Sequence, residues 1–260
     1  MELLEAFASW IRRSCFNETS RRHAALVLAA TSLVGSLVKE QWPLPDSYFN
    51  NKKNVLNVYF VKVSWGWTFL CLLPFIALTS FLATRSLGAV FRRLGALLVG
   101  TIIWFTCTNF FMMIENVTGT CYNSSAMLVI REELTDKRDC ITSGGFWGGF
   151  DISGHSFLLP YCTLMILEEA IVAHLVRLEK SWQKHLINIL TLSLAFLASV
   201  WTLMFFLTSI YFHDLAQKLL GTSFGIFGWY VTYRWWYLMP YSPGLPPRSA
   251  TKEGKRGYSK

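Results

Sequence analysis

The chain has 260 residues, of which 53% are hydrophobic and 15% charged, with twenty Phe and eleven Trp. A soluble domain carries about 25% charged residues, and here the charges fall in short runs between long uncharged stretches. That pattern excludes an ordinary soluble domain and points to a chain that crosses a bilayer several times, since a spanning helix needs roughly 20 apolar residues. The net charge of +8 belongs to Lys and Arg beside those stretches, where orientation and anionic headgroups account for it better than nucleic acid does.

In chain order, a short basic tail with Arg12, Arg13, Arg21 and Arg22 precedes a first span at about residues 24–40. It has no continuous apolar core of a cleavable leader, so the first span is expected to serve as the targeting signal. The loop Pro43-Leu44-Pro45-Asp46 leads to a second span at about 55–84, which carries Lys62 inside its start; Arg85, Arg92 and Arg93 then precede a third span at 94–114. A long polar loop runs to Phe146, followed by a fourth span at 152–173, a basic loop from Arg177 to Lys184, and a fifth span at 186–212. The sixth, 219–236, is short and Gly-rich, and residues 243–260 read as a flexible cytoplasmic tail after a spanning domain of residues 1–242. The expected fold is therefore all-α, a bundle of six transmembrane helices; four spans with re-entrant segments are the alternative. Sixteen of the 24 Lys and Arg fall on the side of the two termini, which places both termini in the cytoplasm.

The long loop then faces the lumen. It holds Cys121 and Cys140, expected to form a disulfide, and the glycosylation sequons at Asn116 and Asn123; both features belong to lumenal loops. No CxxC pair or His/Cys cluster suggests a metal, and no cofactor is expected.

His23, His174 and His185 flank spans on the cytoplasmic side and read as interfacial basic residues. His155 and His213, 58 residues apart, come instead to the same lumenal depth on adjacent antiparallel spans. Two imidazoles so placed can divide acid–base or nucleophilic work; two unrelated interfacial histidines are the plainer reading. Glu168 and Glu169 lie roughly 20 Å further down the helix from His155, and read as structural or as lipid-headgroup contacts. Lys62 is either a phosphate ligand, because a Lys inside a span is costly, or a side chain that snorkels to the interface.

The segment Asp151-Ile152-Ser153-Gly154-His155 contains Ser-Gly-His, which resembles the second motif of the lipid phosphate phosphatase superfamily. That resemblance implies that Gly154 lets backbone approach phosphate, Ser153 donates to its oxygens, His155 protonates the leaving group and His213 attacks phosphorus. The superfamily's first motif, a Lys and an Arg-Pro pair, is absent as such, and three positions of the third motif depart from the pattern. Phe206 and Leu207 stand where Ser-Arg is usual, and Gln217 stands where an Asp would orient His213. Asn54 to Lys62, Gly145-Phe146-Trp147, Tyr211-Phe212-His213 and Ser242-Pro243-Gly244-Leu245-Pro246-Pro247 narrow the resemblance to the fat storage-inducing transmembrane proteins. It implies an endoplasmic-reticulum membrane protein that promotes lipid-droplet formation. It also implies cleavage of the diphosphate of fatty acyl-CoA on the lumenal side, to acyl 4′-phosphopantetheine and adenosine 3′,5′-bisphosphate. The expected partners are the acyl-CoA substrate and membrane lipids including neutral lipid, and no nucleic acid. A non-enzymatic protein that partitions neutral lipid in the bilayer is the alternative; a transporter has no internal repeat or broken-helix pair to support it.

Overall fold

The computed structural model describes residues 2–42, 44–45, 47–174 and 180–247. Arg177 and residues 248–260, which hold most of the tail expected to be flexible, lie outside these, as do Pro43 and Asp46.

The tail preceding the first span is an amphipathic helix, α1 (Glu2–Ser14), with Leu3, Phe7 and Trp10 exposed and Ala8 buried. Asn17 then caps α2 (Glu18–Gln41) by accepting from Ser20 N–H at 2.8 Å. Arg21 thus lies within the first long helix and not before it. A one-turn π-helix (Leu56–Phe60) and a 3₁₀ turn (Val61–Val63) lead into α3 (Ser64–Thr84). Arg85, at φ 54°, turns the chain into α4 (Leu87–Thr118). Arg92 and Arg93, expected in a loop, are helical, and α4 carries Glu115 and the sequon residue Asn116 in its last turn.

Strand β1 (Thr120–Tyr122), helix α5 (Lys137–Thr142) and β2 (Phe146–Gly148) build the long loop, β1 and β2 pairing antiparallel with Cys121 opposite Trp147. A disulfide joins Cys121 to Cys140, with Cα atoms 5.7 Å apart. A Cβ on Gly145 would sit 2.9 Å from both sulfurs, so the Gly-Phe-Trp segment must start with a glycine to stack on the bridge. Asn123 is exposed, its Oδ1 accepting from Arg131 Nε. Replacing Cys121 and Cys140 by Ser is expected to cost up to roughly 3 kcal/mol, the chain-entropy value for a loop of this size. Thermal unfolding of the purified protein, with and without reductant, measures it.

Helix α6 (Gly154–Ala170) is buried along nearly its whole length, and α7 (Ser181–Tyr211) and α8 (Leu215–Trp229) pack on it. Gly221 and Gly225, four apart, let α8 approach the backbone of α6: a Cβ on either would meet the carbonyl oxygen of Ser153 or Phe157 within 2.5 Å. The helices α2, α3 (with the turns before it), α4, α6 (with the 3₁₀ turn to His174) and α7 are long and apolar enough to cross a membrane. The all-α membrane bundle expected from the sequence is what the structure shows. The sixth expected span is α8 continued by a π-turn (Tyr230–Trp235) and a 3₁₀ turn (Trp236–Leu238), so no single regular helix carries it.

One end of the bundle is tied by charge. Glu168 meets Arg21 of α2 at 2.9 Å and Arg234 at 2.7 Å; Glu169 receives Arg93 of α4 at 2.6 Å and the Tyr233 hydroxyl at 2.6 Å. Both carboxylates are buried, and a buried charge is tolerated only when paired. Arg93 also donates to Gly244 O and Arg92 to Ser242 O at 2.7 Å, so the Ser-Pro-Gly segment is held against α4. Of the two readings of these glutamates, the structure supplies protein partners and thus the structural one.

Candidate active site

At the opposite end, Ser153 caps α6. Its Oγ accepts from the Ser156 amide at 3.3 Å and from the Ser156 hydroxyl at 2.9 Å, and its side chain is fully buried. The first N–H groups of a helix have no intrahelical acceptor, so the amides of Gly154 and His155 face outward with the positive end of the helix dipole behind them. A Cβ on Gly154 would meet nothing within 4 Å; open space stands in front of this turn.

Helix α8 begins beside it. The Ser153 amide donates to Gln217 O at 3.2 Å, which ties the Ser-Gly-His segment to the first turn of α8. Asp214 is the N-cap of α8, and Gln217 Oε1 accepts from the Asp214 amide at 3.2 Å, the reciprocal contact of a capping box. The same Gln217 oxygen lies 3.2 Å from His213 Nδ1, and Asp151 Oδ2 lies 3.7 Å from that nitrogen. His213 sits at φ 51°, a left-handed conformation uncommon outside glycine, though His tolerates it better than most. Its carbonyl accepts from Lys39 Nζ, which also lies 3.9 Å from Asp214.

His155 is partly buried, with His213, Lys62 and Lys52 near enough to act on it electrostatically. Lys62 itself is exposed at the end of the distorted turns before α3. Those turns are fixed by Asn54, buried, whose Oδ1 accepts from the Asn57 amide at 2.7 Å and whose Nδ2 reaches Tyr48 O at 3.2 Å. A π-turn inserts a residue and re-aims the side chains after it; here it precedes Lys62 by two residues.

The structure thus brings His155, His213, Gly154 and Lys62 to one end of the bundle. It turns Ser153 inward as a cap, so that anion contact there falls to backbone amides. Sequence reasoning missed three polar neighbours of His213: Asp151, Gln217 and Lys39. Gln217 looks in the superfamily pattern like a lost carboxylate, yet Asp214-Leu215-Ala216-Gln217 is a readable capping box that aims its oxygen at His213. Lys39 gives no local signal. Among the described residues no three His, Cys, Asp or Glu side chains converge as metal ligands.

Fold and site together describe a polytopic membrane protein with a two-histidine cluster at the mouths of two helices. The chain belongs to the fat storage-inducing transmembrane protein (FIT) family, which matches residues 45–191 and 176–233. It is 55% identical over 255 residues to a Xenopus tropicalis protein named acyl-coenzyme A diphosphatase FITM2, covering 98% of each chain. It is 52% identical over 252 residues to the Homo sapiens protein of that name, covering 96% of each. Fat storage-inducing transmembrane protein 1 of Homo sapiens is 36% identical over 228 residues, 84% of this chain and 75% of that one. No solved structure is a significant match.

Proposed function

We propose that this chain is an acyl-CoA diphosphatase of the endoplasmic-reticulum membrane, with His213 as nucleophile and His155 as general acid. The observation that carries this reading is the His213 imidazole held at Nδ1 by Gln217, beside the amino-terminal turn of α6 that bears His155. With Nδ1–H donating to Gln217 Oε1, Nε2 keeps its lone pair. It attacks one phosphorus in line, forming a P–N bond as the bridging P–O bond breaks. His155 delivers a proton to the departing phosphate oxygen and then takes one from the water that hydrolyses the phosphohistidine. The Gly154 and His155 amides, with Lys62, face the non-bridging oxygens, where charge must be neutralised. They stand in for the Arg that Leu207 does not supply. The test is hydrolysis of acyl-CoA by purified protein, wild type against His213→Ala; turnover unchanged in the variant leaves the neutral-lipid-partitioning reading.

The same reading places the histidine end in the lumen, both termini in the cytoplasm and six helices across the membrane, with residues 1–242 as one spanning domain. The Lys and Arg excess on the side of the termini supports it, as does a disulfide in the loop at the histidine end. Lipid-droplet support and association with neutral lipid belong to the same proposal, and the family's description as fat storage-inducing supports them. Epitope tags at both termini are expected to be accessible when only the plasma membrane is permeabilised, and a tag within residues 126–136 protected. A lumenal terminus would overturn the topology.

A further inference from the structure

A cavity of about 980 Å³ lies away from His155 and His213, between α1, α2, α6 and α7, with His23 in its lining. A second, of about 450 Å³, continues it. The two share Val27, Thr31 and Phe206, so they form one trough along the outer face of α2 and α7. From its far end at Phe7 and Cys15 of the amino-terminal segment, it runs to Val38, Leu44 and Ile210 at the histidine end. Its walls are mostly apolar, with Ser20, His23, Thr31, Thr163, Ser199 and Thr202 among them. Gly35 closes the floor there, packed so tightly on Ser209 that a Cβ would stand 2.6 Å from that residue's own.

The mouth is defined by the residues that adjoin it. Val38 precedes Lys39, whose ammonium reaches the His213 carbonyl and lies 3.9 Å from Asp214. Ile210 lies three residues before His213. The depth is set by the helix. Along α2 the lining runs from Val38 to Ser20, eighteen residues or about 27 Å at 1.5 Å each, close to the whole of the roughly 30 Å hydrocarbon thickness. That length takes one long acyl chain whole.

We infer that this α2–α7 trough is the acyl-chain site of the diphosphatase, so that the chain enters at Val38 and lies along α2 while the diphosphate rests at the histidines. The inference rests on the hydrolase reading above and adds the part of the substrate that the histidine cluster does not touch. A chain seated in a protein wall of fixed length gives chain-length selectivity, since each methylene that loses its seat costs about fourfold in affinity.

Two measurements test it. In the first, a non-hydrolysable acyl-CoA analogue with a methylene-bridged diphosphonate and a mid-chain diazirine is photolysed with the full-length protein in detergent. Label is expected in peptides covering residues 27–38 and 203–210, and unlabelled acyl-CoA is expected to compete it away. Label confined to α3 and α4 overturns the site, and so does α2–α7 label that a free fatty-acid diazirine gives equally and acyl-CoA does not displace. In the second, Ala30→Trp fills the trough from an exposed position. The ratio of kcat/KM for an 18-carbon acyl-CoA to that for an 8-carbon one is expected to fall at least tenfold; an unchanged ratio in active protein overturns the site. Wild-type protein that hydrolyses no acyl-CoA sinks the hydrolase reading, while the labelling, which needs binding and not turnover, still decides the trough.

Discussion

Protein carrying His213→Ala is expected to lose acyl-CoA hydrolysis by a factor of at least about a thousand, because removing a nucleophile abolishes the covalent route and leaves only binding and electrostatic assistance. His155→Ala is expected to slow the reaction by roughly a hundredfold to ten-thousandfold, the range of general acid–base catalysis. Its loss is expected to shrink with an activated phosphate ester, whose leaving group departs without a proton. Residues that act as one unit give non-additive losses, so the double variant is expected to be little worse than His213→Ala alone. Folding is expected to survive, since neither imidazole is part of the apolar core. The backbone at His213 offers a control. At φ 51° a glycine is relieved of a Cβ penalty of about 1–2 kcal/mol, so His213→Gly should be inactive yet more stable than His213→Ala. Hydrolysis of both substrates by the four forms, with thermal unfolding in parallel, separates these outcomes. A double variant with full activity ends the hydrolase reading.

The bundle was legible because the bilayer imposes it: uncharged runs of some twenty residues leave little else for the chain to do. The ends of the runs were less legible, and for one reason. Arg21 and Arg93 look like the borders of spans, yet each is drawn inside a helix by a glutamate 147 or 76 residues away, a pairing no local window contains. The sixth span was weak in sequence and is irregular in structure for related reasons: Gly221 and Gly225 serve close packing on α6 and not helical regularity, and a π-turn comes after them. At the site, Ser-Gly-His and the order of the two histidines could be read only through their resemblance to the phosphatase motifs. The inward turn of Ser153 depends on Ser156 and the approach of α8. The contact of Lys39 with His213 depends on how α2 packs against α7, 174 residues on, and no motif records it.

The role of Gln217 comes from geometry that the family pattern obscured, since an amide stands where a carboxylate is usual. Its Oε1 takes a hydrogen bond from the Asp214 amide and lies 3.2 Å from His213 Nδ1, so on the hydrolase reading one atom fixes both the start of α8 and the tautomer of the proposed nucleophile. Gln217→Ala is expected to lower kcat on the order of tenfold to a hundredfold, less than loss of the ring itself, because orientation and tautomer go while the imidazole remains. It is also expected to cost about 1 kcal/mol of stability through the lost cap. Gln217→Glu keeps the acceptor and adds a charge. A neighbouring carboxylate favours the protonated imidazole and raises its pKa; attack needs the neutral ring, so the acid limb of the pH–rate profile should move to higher pH while the rate on its plateau stays within a few-fold. A merely structural glutamine would give the stability loss without that shift. The measurement is the pH dependence of kcat for wild type, Gln217→Ala and Gln217→Glu. If all three profiles superimpose, Gln217 caps α8 and positions nothing.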